Sequence, residues 1–307
     1  MQPRDREGRF INLDGTGPHS ASEVLRWAVI DKIAGRRRKS ADGEAAPVVK
    51  PDRALLATAA TKPRITWLGH ASFLVQLDGA SVVIDPIFPD RIGAVFKRKP
   101  AVPLQPAELP RIDATLVSHN HYDHLDQPSV RAVGAPVFAG SGMGSLVERC
   151  REMEWWDAAP ITTRVRVHFV PSKHWSRRSL RDVNRTLWGG FVLQGESGSV
   201  YHAGDTAFFE GFAEIGRRFP EISAALLPIG AYDPGWFMEM QHMNPEQAVR
   251  GFVDLGARTF VAMHWGTFKL TDEPLEEPPA RLRAEWARRA LAPERLRIPA
   301  IGETVFA

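Results

Sequence analysis

The sequence His119-Asn120-His121-Tyr122-Asp123-His124 directly follows the apolar stretch Ala114-Thr115-Leu116-Val117-Ser118. A short apolar run predicts a buried strand, so the three imidazoles and the carboxylate lie on the loop after it. Buried imidazoles need polar partners, and four potential ligands within six residues are rarely core filling. The spacing H-x-H-x-D-H suits two neighbouring metal ions. Nitrogen and oxygen ligands without thiolate favour Zn²⁺ in a hydrolytic role, with Fe or Mn as alternatives.

Three further segments place a His or an Asp directly after a strand-like stretch. They end in Ser172-Lys173-His174, Ala203-Gly204-Asp205 and Met263-His264. Side chains at strand ends are held by a rigid sheet and can face a common cleft. We therefore assign His119, His121 and His174 to one metal. We assign Asp123, His124 and His264 to the other metal, and Asp205 bridges the two.

Two metals about 3.5–4 Å apart can hold a water and lower its pKa to near 7, so that it attacks without a protein nucleophile. This chemistry suits phosphodiesters, lactones and β-lactams alike. The ligand pattern thus predicts a metallo-hydrolase and leaves its substrate open.

The pattern resembles the metallo-β-lactamase fold family. This resemblance implies an α/β fold, a four-layer αββα sandwich of two mixed β-sheets with helices outside, and Asp85 matches a supporting Asp of the family. Residues 62 to 280 further resemble the branch of N-acylphosphatidylethanolamine-hydrolysing phospholipases D. The segments that carry this similarity are Pro171-Ser172-Lys173-His174-Trp175, Gly204-Asp205-Thr206, Trp236-Phe237-Met238, Gln241-His242 and His264-Trp265-Gly266-Thr267-Phe268. A related branch contains sugar-phosphate lactonases.

The resemblance implies hydrolysis of an N-acyl phospholipid to an N-acylethanolamine and phosphatidic acid, with two Zn²⁺ per chain, and it implies a homodimer. Two alternatives stay open. One is a lactonase or phosphodiesterase acting on a small phosphorylated metabolite. The other is a non-catalytic membrane-docking protein, against which the complete ligand set argues.

Candidate substrate residues lie beside the ligands. Gln241 and His242 match a pair that lies by the substrate phosphate in the resembling family, where a protonated imidazole could neutralise phosphate or protonate the leaving oxygen. Arg177 and Arg178 follow His174 and could pair with phosphate. Alternatively, His242 is an ordinary loop histidine, and the arginines belong to a solvated basic loop. We take Asp123 and His242 as the catalytic candidates.

The N-terminal residues 1–61 are predicted to form a leader, and residues 62–307 the catalytic domain. Residues 1–64 hold 13 Lys/Arg and 8 Asp/Glu, a net charge of +5, against −2 for the remainder. Residues 22–33 predict an amphipathic helix, the basic run Arg36-Arg37-Arg38-Lys39 follows, and residues 40–61 resemble a linker. The leader could anchor to anionic lipid without affecting the chemical step. Alternatively, the helix packs on the domain beside a solvated charge run.

Composition agrees with an enzyme that has a large core: 307 residues, 44% of them hydrophobic. The single cysteine, Cys150, lies in a helix-like stretch at residues 145–150 and favours a reducing compartment. No signal-peptide pattern, long apolar run or nucleic-acid motif is present. We expect a cytoplasmic protein that could dock on the inner face of the membrane. The apolar stretch Trp236-Phe237-Met238-Glu239-Met240 is predicted to be an exposed loop that admits an acyl chain or touches a bilayer.

Overall fold

The computed structural model describes residues 2–38, 43–93 and 95–307. Its strands are, in chain order, β1 (Arg64–Gly69), β2 (Ser72–Leu77), β3 (Ala80–Ile84), β4 (Arg91–Ile92), β5 (Phe96–Lys97), β6 (Ala114–Val117), β7 (Val137–Gly140), β8 (Cys150–Met153), β9 (Ala158–Pro160), β10 (Arg166–Val170), β11 (Gly190–Gln194), β12 (Ser199–His202), β13 (Ile222–Pro228), β14 (Thr259–Met263), β15 (Leu296–Arg297) and β16 (Thr304–Phe306).

These strands build two seven-stranded sheets and one small hairpin of β4 and β5. The first sheet has the order β16-β1-β2-β3-β6-β7-β8, and the second has the order β15-β14-β13-β12-β11-β10-β9. In each sheet an antiparallel meander continues into parallel strands: β1 to β3 and then β6 to β8, and β9 to β12 and then β13 to β15. This arrangement confirms the two predicted mixed sheets.

The main core lies between the two sheets. Phe73 of the first sheet and Phe169 and Phe191 of the second are fully buried in one continuous apolar cluster. The strands read as nearly unbroken apolar runs because both faces of each sheet are covered. A rigid double sheet of this kind can hold side chains at its strand ends in fixed positions.

The α-helices lie around the two sheets. They are α1 (Ala21–Leu25, continued by a π-helical turn over Arg26–Ile30 and an α-helical turn over Asp31–Ile33), α2 (Arg53–Leu56), α3 (Gln127–Val133), α4 (Gly211–Arg218), α5 (Gly235–Met238), α6 (Pro245–Leu255) and α7 (Glu277–Arg288). Short 3₁₀ turns cover Pro106–Glu108, Met143–Ser145 and Pro293–Arg295.

Two outer layers complete the sandwich. Phe252 of α6 and Trp286 of α7 contact Phe260 of the second sheet, with ring centroids 5.5 and 5.8 Å from its ring. Val130 of α3 packs with Val117 of the first sheet. The predicted four-layer αββα fold is therefore confirmed.

The start and end of α6 each carry a typical helix cap. The side chain of Asn244 accepts a hydrogen bond from the backbone N–H of Gln247, whose side chain accepts one from the backbone N–H of Asn244. This capping box satisfies two backbone donors at the start of the helix. Gly256 ends the helix in a left-handed conformation, with φ +66°.

The prediction of a helix around Cys150 is wrong. Met143–Ser145 forms only a 3₁₀ turn, and Cys150–Met153 is the edge strand β8. Leu146, Val147 and Cys150 pack in one apolar cluster while Glu148 and Arg149 are exposed, so the stretch has the spacing of an amphipathic helix without forming one. Burial and the nearby carboxylate of Glu152 raise the pKa of Cys150 to about 12, which agrees with an inert thiol.

The N-terminal segment lies against the catalytic domain. Phe10 is buried in the main core, Val48 forms a β-bridge with Ile301, and Arg37 forms an ion pair with Asp272. The described part of the segment is therefore packed on the domain. The boundary at residue 61 stays a prediction. Lys39 of the basic run and residues 40–42 of the expected linker lie outside the described residues.

The predicted exposed apolar loop at residues 236–240 is wrong. Gly235–Met238 forms the short helix α5, and Phe237 and Met238 are buried. The reason is the N-terminal segment, since Trp27 of α1 stacks on Phe237 with ring centroids 4.7 Å apart. In the part of the chain that the structure describes, no helix has the length and apolar character that crossing a bilayer requires.

Candidate metal centre

The seven predicted ligands come from four strand ends. The loop after β6 carries His119, His121, Asp123 and His124, while β10, β12 and β14 lead to His174, Asp205 and His264. The structure brings all seven side chains into one buried cluster at the end of the sandwich. The side chains at these strand ends therefore meet in one place, as the sequence predicts.

One half of the cluster is a cup of three ring nitrogens. Nδ1 of His121 lies 2.8 Å from Nε2 of His119 and 3.2 Å from Nε2 of His174. Burial lowers the pKa of His119 and His174 well below the ordinary range and that of His121 to about 4. Neutral imidazoles present lone pairs, and a neutral imidazole is the form that binds metals.

The other half of the cluster contains oxygen. Nε2 of His264 lies 3.5 Å from Oδ2 of Asp123, and Nε2 of His124 lies 3.7 Å from the same oxygen. Burial opposes charge on both rings, but the carboxylates of Asp205 and Asp123 outweigh it. They raise the pKa of His124 well above its ordinary range and that of His264 to about 9. A cation at this position would displace those protons.

Asp205 lies between the two halves. Its Oδ1 is 3.1 Å from Nε2 of His264, and its Oδ2 is 3.2 Å from Nε2 of His124 and 3.8 Å from Nε2 of His174. Each carboxylate oxygen thus faces a different set of rings. This is the position expected of a bridging carboxylate.

The polar atoms of this cluster fit bound metal ions. Among the described residues, the buried Nε2 atoms of His124 and His264 and Oδ1 of Asp205 lie close together but form no well-aligned hydrogen bond. Buried polar atoms are almost always satisfied, so a group of unsatisfied atoms aimed at one point needs an explanation. Imidazole nitrogens and carboxylate oxygens are ligands that Zn, Fe and Mn accept.

Hydrogen bonds behind the ligands fix their orientation. Nδ1 of His124 lies 2.7 Å from Oδ2 of Asp85, and Nδ1 of His174 lies 2.9 Å from the backbone oxygen of Gln241. Such contacts set which ring nitrogen faces a metal and hold the ring in place. Asp85, expected as a supporting Asp, therefore contacts a ligand directly.

Three residues of the site have left-handed backbone conformations. The φ angles are +54° at His70, +43° at Asp85 and +62° at His264. Residues other than glycine rarely adopt this region, and the cost is of order 1–3 kcal/mol each. The surrounding sheets hold these residues where their side chains meet the cluster.

The two other strand-associated histidines behave differently. His202 is buried behind the cluster, with Nε2 2.9 Å from the backbone oxygen of Ala71. His168 lies away from it, with Nε2 3.0 Å from Oε1 of Gln194. Neither residue belongs to the ligand cluster among the described side chains.

His242 lies at the edge of the cluster. Its Nδ1 is 3.9 Å from Oδ2 of Asp205, its ring centroid is 5.2 Å from that of His174, and its side chain is 13% exposed. Burial lowers its pKa to about 4, so the free ring is neutral at pH 7. An anion bound beside the ring would favour the protonated form.

The two candidate arginines have different environments. Arg177 is half-buried, with its guanidinium 6.0 Å from the ring centroid of Trp175. Arg178 donates from Nη1 to the backbone oxygens of Asn120 (2.9 Å) and Leu125 (2.8 Å). Arg178 therefore braces the loop that carries the first four ligands. Sequence spacing gave no sign of this role.

An open cleft of about 480 Å³ leads to the cluster. Its polar lining includes His121, Asp123, Asp205, Gln241, His242, Arg177 and Arg178. Its walls are mainly apolar and include Val24, Trp27, Ile92, Phe96, Phe237 and Met238. The N-terminal helix α1 thus forms part of the wall, although the sequence indicated a separate leader.

Comparison with known proteins agrees with this geometry. A family model described as a beta-lactamase superfamily domain matches residues 81–265. The chain is 36% identical over 305 residues to an uncharacterized protein of Mycobacterium tuberculosis, covering 92% of this chain and 80% of that protein. It is 34% identical over 242 residues to N-acyl-phosphatidylethanolamine-hydrolyzing phospholipase D 1 of Caenorhabditis elegans, covering 71% of this chain and 68% of that protein.

A solved structure shows the same fold. The metallo hydrolase Igni18 from Ignicoccus hospitalis superimposes with a TM-score of 0.61 at 24% identity, covering 80% of this chain and 99% of that chain. Together with the His and Asp cluster, these likenesses define a metal-dependent hydrolase. The chain belongs to the beta-lactamase superfamily and has the metallo-β-lactamase fold.

Proposed function

We propose that this protein is a dinuclear zinc phosphodiesterase that hydrolyses N-acylphosphatidylethanolamine to N-acylethanolamine and phosphatidic acid. The observation that carries the proposal is the cleft. Its lining is mainly apolar, yet it also includes His121, Asp123 and Asp205 of the cluster together with Arg177 and His242. A substrate with a long acyl chain and one phosphate matches that distribution. The similarity to the Caenorhabditis elegans phospholipase D supports the same class of substrate.

The ligand set favours two Zn²⁺ ions. The cup of His119, His121 and His174 offers three nitrogens, as zinc in catalytic sites prefers. The second group adds His124, His264 and Asp123, and Asp205 faces both groups. When bound, two such ions would supply an activated water and stabilise negative charge on a phosphoryl group.

In the overall reaction, a water oxygen forms a bond to phosphorus and the bond from phosphorus to the ethanolamine oxygen breaks. The leaving oxygen takes up a proton, and phosphatidic acid keeps the new oxygen. Arg177 binds the non-bridging phosphate oxygens, since its guanidinium lines the cleft and matches phosphate geometry. Once the bound phosphate has favoured its protonated form, His242 gives a proton to the leaving oxygen.

Asp123 and Gln241 position other groups. Oδ2 of Asp123 lies 2.9 Å from Nε2 of His70, so one carboxylate oxygen is tied to a neutral ring while the group still faces the cluster. The backbone oxygen of Gln241 holds His174, and its side chain lines the cleft beside His242. We assign Gln241 to orientation of the phosphate headgroup.

We further propose that the protein works in the cytoplasm, on the inner face of the membrane. Leu25, Val29 and Ile33 lie on the exposed side of α1, and the side chain of Ile33 is 82% exposed. Trp27, on the same helix, lines the cleft. An exposed apolar helix face beside the cleft mouth, in a segment with a net positive charge, suits binding to an anionic bilayer.

A substrate panel combined with metal analysis tests the function. Zinc-loaded protein is given N-acylphosphatidylethanolamine, bis(p-nitrophenyl) phosphate and a small lactone. We expect the highest kcat/KM on the N-acyl phospholipid. Activity on the lactone alone, or on soluble phosphodiesters without phospholipid turnover, would establish the small-metabolite alternative instead.

A matched pair of variants shows whether the cluster is responsible. Asp205→Asn removes a carboxylate that faces both halves of the site, whereas Asp254→Asn removes a partly exposed carboxylate on α6. We expect the first variant to lose metal and activity together and the second to behave as wild type. Full activity of Asp205→Asn would refute the proposed site.

A further inference from the structure

The N-terminal segment places one buried side chain directly on a metal-ligand residue. Asn12 is 3% exposed, and it lies 162 residues before His174 in the sequence. Its Nδ2 donates to the backbone oxygen of His174 (2.9 Å), and its Oδ1 accepts from the backbone N–H of His174 (3.1 Å). The two bonds hold both backbone polar groups of that residue.

The remaining hydrogen-bonding capacity of Asn12 is also used. Nδ2 donates to the backbone oxygen of Thr16 (3.0 Å), and Oδ1 accepts from Nε1 of Trp188 (3.2 Å). Trp188 Nε1 in turn lies 3.1 Å from the backbone oxygen of Ser172 in the loop before His174. A fully satisfied, buried amide of this kind has one orientation and cannot exchange partners with water.

The segment that carries Asn12 is itself fixed on both sides. The backbone N–H of Phe10 donates to the oxygen of Asn184 (2.9 Å), and Nδ2 of Asn184 donates to the oxygen of Phe10 (3.0 Å). On the other side, Nζ of Lys173 lies 2.6 Å from Oδ2 of Asp14. Asn12 is therefore held in place by contacts of its neighbours with Asn184 and Lys173 as well as by its own bonds to His174.

We propose that Asn12 is a positioning residue for the metal site. The backbone of His174 is held by Asn12, and its ring is held by the contact of Nδ1 with the backbone oxygen of Gln241. With both ends fixed, Nε2 of His174 stays 3.2 Å from Nδ1 of His121. Asn12 thus supports the metal centre from the N-terminal segment. This proposed role differs from the expectation that the N-terminal segment leaves the chemical step unaffected.

The inference rests on the proposed metal site but not on the identity of the substrate. The test compares Asn12→Ala with Leu13→Ala, since Leu13 is the next residue and its side chain is largely exposed. Zinc affinity is measured by competition with a chromogenic chelator, and the visible absorption of Co²⁺-loaded protein reports ligand geometry. We expect Asn12→Ala to weaken zinc binding by about 10-fold or more and to alter the Co²⁺ spectrum, with Leu13→Ala unchanged.

A role in general stability alone would give a different result. In that case Asn12→Ala would lower the melting temperature while zinc affinity and the Co²⁺ spectrum of the folded protein stayed as in wild type, and the proposal would be overturned. If Asn12→Ala does not fold, Asn12→Asp takes its place. It keeps the acceptor for the His174 N–H but turns an oxygen toward the His174 carbonyl.

We expect Asn12→Asp also to weaken zinc binding, and wild-type affinity in this variant would overturn the proposal. The wild-type measurement separates the two claims. If wild-type protein binds no zinc, the proposed function fails. If wild type binds zinc and the Asn12 variants bind it equally well, only the positioning role fails.

Discussion

Nε2 of His70 lies 2.9 Å from Oδ2 of Asp123, and the imidazole is almost completely buried. Burial and the nearby ring of His264 lower the pKa of His70 to about 3, so the ring is neutral at pH 7 and donates from Nε2 to the carboxylate. The same oxygen of Asp123 faces His264 and His124. His70 therefore orients a carboxylate that the metal site uses.

Replacing His70 should weaken the second metal position. His70→Ala removes the donor to Asp123, and the loss of a hydrogen bond behind a ligand typically lowers metal affinity by about 10–100-fold. Zinc titration should show one tight and one weakened site. His168→Ala, at a half-exposed histidine outside the cluster, is the control. Two tight sites in His70→Ala would contradict the role given to His70.

Replacing each of the two arginines of the cleft should have a different effect. Arg177→Ala should raise KM for phosphodiesters by about 10–100-fold, which corresponds to losing a charged hydrogen bond of roughly 1.5–3 kcal/mol. Arg178→Ala should instead lower the melting temperature, because Nη1 of Arg178 holds the ligand loop. Arg181→Ala, at an exposed position outside the cleft, serves as the control. An unchanged KM in Arg177→Ala would exclude phosphate binding there.

His242 should act on the substrate and not on the metals. His242→Ala should keep its metal content and fold but lower turnover of the N-acyl phospholipid by about 10²–10⁴-fold, as expected for loss of a general acid. A nitrophenyl phosphodiester needs little protonation of its leaving group and should be much less affected. Equal losses on both substrates would indicate phosphate binding instead. Loss of metal, or wild-type turnover of the phospholipid, would remove His242 from the mechanism.

Features of this site that depend on residues close together in the sequence could be predicted, whereas contacts between residues far apart in the sequence could not. The ligands could be predicted because each follows an apolar strand within a few residues, as His264 follows β14. The contact of Asn12 with His174 could not, since it joins positions 162 residues apart with no distinctive spacing. The left-handed backbone at His70 could not be predicted either, because tertiary packing imposes a conformation that few residues other than glycine adopt.

The same reasoning explains the errors in the fold. The stretch Trp236 to Met240 was predicted to be exposed because no neighbouring residue in the sequence indicates what would bury it. It is buried by Trp27, which stacks on Phe237 and lies far away in the chain. Residues 145–150 look helical because packed Leu146, Val147 and Cys150 alternate with exposed charged residues at helical spacing. Local periodicity predicts the strands between the sheets well, where burial on both faces leaves only apolar residues.

The exposed face of α1 should mediate binding to lipid. Replacing Val29 and Ile33 together by Glu should reduce sedimentation with anionic vesicles while leaving turnover of a soluble phosphodiester close to wild type, because neither side chain lines the cleft. Val253→Glu, at an exposed apolar position on α6, is the control. Binding of wild type should also weaken as salt is raised. Unchanged, salt-insensitive binding of the double variant would exclude this surface.

Hydrolysis of N-acylphosphatidylethanolamine in oxygen-18 water tests the central claim most directly. Mass spectrometry of the products of zinc-loaded protein should show N-acylethanolamine without label and phosphatidic acid with one labelled oxygen, and chelation of the metal should abolish both products. Label in the N-acylethanolamine would show attack at carbon. Absence of products from protein that carries two zinc ions per chain would contradict the proposed phosphodiesterase.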